Sequence, residues 1–211
     1  VLNLSLGGLS NSQSLQDAVD YARNKSAVVV AAVGNCGSGC TIGGTYYYNP
    51  DMYPASCQNV IGVAATTSTD GWASFSEHNT SVDVSAPGQD IFGPAYYDPS
   101  VPGFDQYFYA NTGTSFAAPL VSGLAALLRA VYPSWTPDQV TERIRSTTDS
   151  IDLLNPGYAG KLGTGRINCA CAVGLELPPR PPQNVRAFDT PSDQGGSITV
   201  AWDRSPDDLP E

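Results

Sequence analysis

The chain is short of charge, and of positive charge most of all. Of its 211 residues only 14% are charged, with Lys+Arg 10 against Asp+Glu 20, a formal net charge of −10 and one histidine, His78. No basic stripe runs through it, which excludes a grip on nucleic-acid backbones as its business, since that grip comes from lysine and arginine displacing counterions. Long apolar runs are also missing. The longest, residues 27–33, falls far below the roughly 20 residues a membrane-spanning helix needs, and no membrane partner is expected. What the chain does have is hydrophobic residues at 41%, enough to build a core, and Gly 21 with Pro 17, which imply many turns. The length allows one domain, or one domain with part of another.

Position 1 is Val1 rather than Met and leads straight into an apolar run, with no charged leader or cleavage pattern before it. The last residues stop soon after another strand-like run. Both ends read as cut, so the expectation is an internal piece of a longer protein. The five cysteines are Cys36, Cys40, Cys57, Cys169 and Cys171. An odd number leaves one unpaired or paired elsewhere. A disulfide within the trio Cys36, Cys40 and Cys57 competes with a zinc site, against which stand the absence of a nearby histidine and of two-residue spacing. Cys169 and Cys171, one residue apart, are badly placed to bond each other.

Residues 1–5, 27–33, 59–65 and 82–86 are short, nearly continuous apolar runs, the first, second and fourth closed by Gly or Pro soon after. Between the first two, Leu15, Ala18, Val19 and Ala22 recur at helical spacing, with Ser14 and Asp17 resembling a capping box and Asn24 a left-handed stop. Strands apolar on both faces, alternating with helix, predict an α/β fold around a parallel sheet covered on both sides. Residues 115–131 form a long Ala/Leu helix, with Pro119 expected near its first turn, where a missing N–H costs least. Thr136, Pro137 and Gln139 mark another helix start, with Thr136 as cap, Pro137 at N1 and Gln139 closing the capping box. Residues 163–173 close this domain. The composition changes at Glu176, giving three expected parts: residues 1–175, a stiff linker at 176–183 built on Pro-Pro-Arg-Pro-Pro, and residues 184–211. In the last part, 184–188 and 197–202 read as strands, with Ile198, Val200 and Trp202 alternating against Thr199 and Ala201.

The chemistry is concentrated in Gly113-Thr114-Ser115 at the start of the apolar helix. A serine there has its hydroxyl at the positive end of a helix dipole, where developing negative charge is favoured. That suits a nucleophile whose attack makes an oxyanion. The plainer alternative is that Ser115 is an N-cap.

The surroundings of this serine carry a resemblance. GTSFAAP (113–119), VVVAAVGN (28–35) and LNLSLGG (2–8) resemble, in the same order, the nucleophile motif, oxyanion strand and substrate-pairing strand of the subtilisin-like serine peptidases (subtilases). YPASCQNVIGVAAT (53–66), SVDVSAPG (81–88), YPSWTPDQV (132–140) and GTGRIN (163–168) resemble further stretches of that family, and the likeness covers residues 1 to about 174. It implies part of a three-layer subtilisin-like fold and a serine endopeptidase acting on polypeptide substrates through an acyl-enzyme on Ser115. Asn35 would donate its amide to the oxyanion. Ser5, Leu6 and Gly7 would pair with an extended substrate backbone, and with Ala32, Val33 and Gly34 would flank the primary specificity pocket.

The resemblance also implies what is missing. A catalytic serine needs a base and a carboxylate to orient it, and in this family both precede the serine, in the order Asp, His, Ser. His78 follows the oxyanion strand and sits in a polar stretch, so it reads as a surface residue. Asp17, Asp20 and Asp83 do not match the family's Asp. The base and its carboxylate are therefore expected in an upstream part of the same peptidase domain, which would be this chain's partner, and the piece alone is expected to be inactive. Phe116 stands where the family usually has Met. No cofactor is expected for the chemistry. Structural calcium is implied by the family, with no ligands assignable. The likeness to secreted enzymes and the expected disulfide imply an extracellular location. Residues 184–211 resemble the first strands of a fibronectin type III domain, part of a β-sandwich with Trp202 as core aromatic. The Asn-x-Ser matches at Asn3, Asn24 and Asn79 read as accidental, Asn3 being placed on a buried strand. The alternative function is a non-catalytic subtilase scaffold carrying a fibronectin-like adhesion module. An α/β-hydrolase is excluded because Ala117, not Gly, stands two residues after Ser115.

Overall fold

A computed structural model of the chain describes residues 1–94, 97–101, 108–175, 183–189 and 197–203. Two compact units are present, Val1–Gly174 and Leu175–Glu211. In order, the first contains β1 (Leu2–Leu4), α1 (Gln13–Asn24), β2 (Val29–Ala32), β3 (Cys40–Ile42), β4 (Thr45–Tyr47), β5 (Val60–Thr66), β6 (Val84–Pro87), β7 (Ile91–Pro94), β8 (Phe108–Asn111), α2 (Thr114–Val131), α3 (Pro137–Ser146) and α4 (Cys169–Val173). The second contains the antiparallel pair β9 (Gln183–Asp189) and β10 (Ile198–Asp203).

The four apolar runs become one parallel sheet in the order β1-β2-β5-β6. Successive residues of a strand face opposite ways, so the central strands β2 and β5 feed two cores, while the edge strand β1 adds only Leu4 to one of them. Val28, Val30, Ala32, Ile61, Val63, Ala65, Val84 and Ala86 face α2 and α3. Val29, Ala31, Val33, Val60 and Ala64 face the other way, with Val19 of α1. The helix α2 buries Ala117, Ala118, Val121, Leu124, Ala125 and Leu128 at helical spacing. Its alanines let it lie close to the strands, while Val121, Leu124 and Leu128 each contribute about 1.5–3 kcal/mol by leaving water. By length and composition α2 could cross a bilayer, yet this face is packed on the sheet.

The helix start at Thr136 forms as expected, Thr136 Oγ1 accepting from Gln139 N–H while Gln139 Oε1 accepts from Thr136 N–H. The ends of α1 differ. Ser12, not Ser14, is the N-cap, its hydroxyl accepting from Leu15 N–H, and Asp17 accepts from the Gln13 amide instead of capping. Asn24 stays helical and the left-handed position falls on Ser26, φ 61°. Two capping serines two residues apart are hard to separate by pattern, and the chain takes the one that lengthens the helix. Asn3 is exposed, contrary to expectation, because β1 is an edge strand. The hairpins β3–β4 and β7–β8 are additions to the expected elements.

In the second unit β9 and β10 pair from Ile198↔Asp189 to Ala201↔Arg186, with an irregularity before Asp203. Val185, Phe188, Ile198 and Val200 are exposed on this ribbon. The proline-rich linker core at 178–182 and the side chain of Trp202 lie outside the described residues.

Candidate active site

Parallel strands deliver the loops after their carboxyl ends to one edge of the sheet, where open α/β sheets bind their ligands. Here the loop after β1 carries Ser5–Gly8, the turn after β2 carries Gly34 and Asn35, and α2 begins against both. Gly113, φ 152°, is the N-cap of α2. Ser115 is therefore the second helical residue and not a cap, and its side chain is free for other work. Asn35 Oδ1 accepts from Thr114 N–H at 2.9 Å and from Thr114 Oγ1 at 3.0 Å. With Oδ1 held on the residue next to Ser115, the carboxamide can turn only its Nδ2 donor toward the cleft.

Ser5 and Ser115 hold each other. Ser5 Oγ donates to the Ser115 carbonyl at 2.8 Å, and Ser115 Oγ donates to the Ser5 carbonyl at 3.3 Å. The first bond has a cause in the sequence. In a helix the Ser115 carbonyl would accept from the residue four later. That residue is Pro119, which has no N–H, so the carbonyl is open to Ser5. Pro119 thus lies in the second turn, later than expected, and its missing donor is compensated from outside the helix. The bond from Ser115 Oγ is long for O–H···O and readily exchanged for a better acceptor.

Gly34 joins the two sides. Its N–H donates to Thr114 Oγ1 at 3.2 Å and its carbonyl accepts from Glu77 N–H at 3.2 Å. Its φ of +114° suits glycine, and a Cβ there would lie 2.5 Å from Glu77 Oε2. Glu77 is fully buried and neither carboxyl oxygen reaches a well-aligned donor. Burial raises its pKa to about 8, the Cys36 amide working against the shift and Asp51 adding to it. Cys36 and Cys40 form a disulfide that ties the loop directly after Asn35, while Cys57 is free and buried and Cys169 and Cys171 are free and exposed.

Residues 1–172 match the subtilase family. The chain belongs to that family. An extracellular protease of Xanthomonas campestris pv. campestris is 38% identical over 176 residues, covering 82% of this chain and 28% of that protein. Subtilisin E of Bacillus subtilis (strain 168) is 39% identical over 176 residues, covering 82% of this chain and 40% of its own length. Among solved structures, that of proteases from Pseudoalteromonas arctica has a TM-score of 0.68 at 32% identity, covering 81% of this chain and 49% of that one. The subtilase chain thus spans less than half the length of each.

Of the residues singled out in this subtilase sequence, Ser115, Asn35, Ser5 and Gly34 come together around Thr114. Ser5, Leu6 and Gly7 are exposed and outside regular pairing, with Gly8 bonded to Tyr53 beyond them. Ala32 and Val33 are buried, so they can meet a substrate only through backbone. His78 is not a surface residue. It is 5% exposed, with ring centroids 5.1 Å from Trp72, 4.9 Å from Tyr158 and 6.1 Å from Tyr48. Burial lowers its pKa, a backbone contact with Ser76 opposing and Lys161 adding. The polar letters around it misled because two of the rings that bury it, Tyr48 and Tyr158, come from distant parts of the chain. Sequence reasoning passed over Thr114 and Glu77. Thr114 could have been found as the residue tying Ser115 to the Asn35 carboxamide; no local signal marks Glu77. Among the described residues no group of three or more His, Cys, Asp or Glu side chains gathers to hold a metal, so no side-chain cage for the calcium implied by the family is identified.

Proposed function

We propose that this chain is the nucleophile-bearing part of a secreted subtilisin-like serine endopeptidase. Subtilases as a family support serine peptidase chemistry, and the extracellular protease among the relatives supports secretion. The observation that carries the reading is the meeting of Asn35 with the residue beside Ser115 through two hydrogen bonds.

In the proposed reaction Ser115 Oγ attacks the carbonyl carbon of a peptide bond and forms an acyl-enzyme, which water then hydrolyses. Asn35 Nδ2 and the Ser115 backbone N–H donate to the tetrahedral oxyanion. Removing such a carboxamide costs about 10²–10³-fold in rate, a magnitude known from a subtilisin and so from this family itself. Ser5–Gly7 holds the substrate as an added strand, with Ala32, Val33 and Gly34 flanking the pocket. A histidine and an aspartate from an upstream segment act as base and orienting group, and the exposed edge of β1 is where that segment continues the sheet. The ribbon β9–β10, with one apolar side uncovered, is the opening of a fibronectin type III-like module.

The test is a serine-directed phosphonate applied to the full-length protein, with the labelled residue mapped. Labelling at Ser115, lost in Ser115→Ala, is expected. No labelling of well-folded protein overturns the reading and favours the non-catalytic scaffold. Residues 1–211 alone should hydrolyse no peptide bond; hydrolysis abolished by Ser115→Ala would refute the need for an upstream base.

A further inference from the structure

The Gly34–Gly37 turn is held from beneath by a segment with no assigned role in the reaction. Glu77 N–H donates to the Gly34 carbonyl at 3.2 Å, and Gly37 N–H donates to the Phe75 carbonyl at 2.8 Å. The two backbones are so close that a Cβ on Gly37 would lie 1.9 Å from the Ser76 carbonyl oxygen, and one on Gly34 would meet Glu77 Oε2, Oε1 and Cδ at 2.5, 2.6 and 2.7 Å. The Glu77 carboxyl therefore fills the space that a side chain on Gly34 would take. Burying a carboxyl without a well-made hydrogen bond is costly, and a small hydrophobic residue would fill the same space more cheaply.

We propose that Glu77 is a positioning residue for the oxyanion turn: its carboxyl, packed on the bare α-carbon of Gly34, fixes the backbone that aims Asn35. The inference rests on the serine peptidase reading. Gly34 is clamped between Thr114 on the nucleophile side and Glu77 on the other. A shift of Gly34 would therefore turn Asn35 relative to Ser115 without touching either. In its protonated form the carboxyl lies neutral against the turn. Once ionised, it puts a buried negative charge one residue from Asn35, which pulls the neighbouring backbone amides toward itself and opposes the charge the oxyanion site must accept. The groups facing it are the Cys36 amide from the turn and the Asp51 carboxylate from the segment before β5. His78, next in the chain, packs among aromatic rings.

The experiment uses full-length protein with active sites counted by phosphonate labelling, comparing wild type, Glu77→Gln and Glu77→Ala from pH 6 to 10. Glu77→Gln keeps the shape and removes the charge. Its kcat at neutral pH should stay within about twofold of wild type; wild type should lose kcat as pH rises through the range in which Glu77 ionises, about 8, and Glu77→Gln should not. Glu77→Ala should lower kcat about tenfold with KM nearly unchanged, the signature of an interaction made in the transition state. Superimposable pH profiles for wild type and Glu77→Gln overturn the proposal. So does a Glu77→Ala protein that has fewer labelled sites but unchanged kcat per site, which is what a purely structural role predicts. Failure of wild type to label at Ser115 removes the peptidase reading instead, and this inference with it.

Discussion

Replacing Gly34 by alanine tests the packing beneath the site without any measurement of activity. Two separate costs follow from the geometry. A backbone φ of +114° is rarely adopted by a residue with a Cβ and costs on the order of 1–3 kcal/mol. The new methyl would also meet the Glu77 carboxyl at 2.5–2.7 Å, and overpacking of a filled site adds about 1–3 kcal/mol. Gly34→Ala should therefore destabilise by about 2–6 kcal/mol, and only the second part depends on Glu77. In a Glu77→Ala background the methyl has room, so the same substitution should cost about 1–3 kcal/mol less. Urea unfolding of the four proteins, followed by tryptophan fluorescence, gives the cycle, provided the m-values agree. Additivity to within about 0.5 kcal/mol would mean that the carboxyl does not lie over Gly34, and the account of the turn would fail.

Ser5→Ala should cost about 1 kcal/mol, and less in a Pro119→Ala background, where the Ser115 carbonyl regains its helical donor; an equal cost in both would refute the pairing. Thr114→Val removes one donor to Asn35 and the acceptor for Gly34 N–H, and on the proposed peptidase reading should lower kcat of the full-length protein by about tenfold or more, with Thr114→Ser recovering most of it. Burial lowers the pKa of His78, so below pH 6.5 the unfolded chain binds a proton that the native chain refuses. Stability should fall as pH drops from about 6.5 toward the lowered value. His78→Phe should flatten that part of the urea-midpoint profile, and an unchanged slope would refute the assignment. With Phe116 directly after Ser115, no thioether adjoins that serine in the chain, so the proposed peptidase activity should survive dilute peroxide; rapid loss with Ser115 unmodified would count against this.

The strands could be read because each announces itself within a few residues. Runs such as 28–33 and 60–65 are apolar at every position, which only a two-sided burial explains, and the sheet uses both sides of each. The Thr136–Gln139 cap was equally local. The candidate site was legible where its parts lie in short motifs, as with the segments of Ser115 and Asn35 that meet through Thr114. It was not legible where the partner is remote. Glu77 and His78 are adjacent polar residues in a stretch that looks solvated. One goes under Gly34 and the other among Trp72, Tyr158 and Tyr48, and of these partners only Trp72 is near in sequence. The disulfide stayed open for a milder reason: three cysteines allow three pairings, and the choice of Cys36 with Cys40 is made by the loop that carries them.

The proline in α2 has an effect beyond the helix that contains it. By subtracting one amide it separates where Ser115 is located from what its hydroxyl is bonded to. The loop after β1 anchors Ser115 by its main chain, through Ser5 Oγ, so the hydroxyl proposed to react need not serve as a fastening. Such a residue can trade acceptors during a reaction cycle while its α-carbon stays where it is.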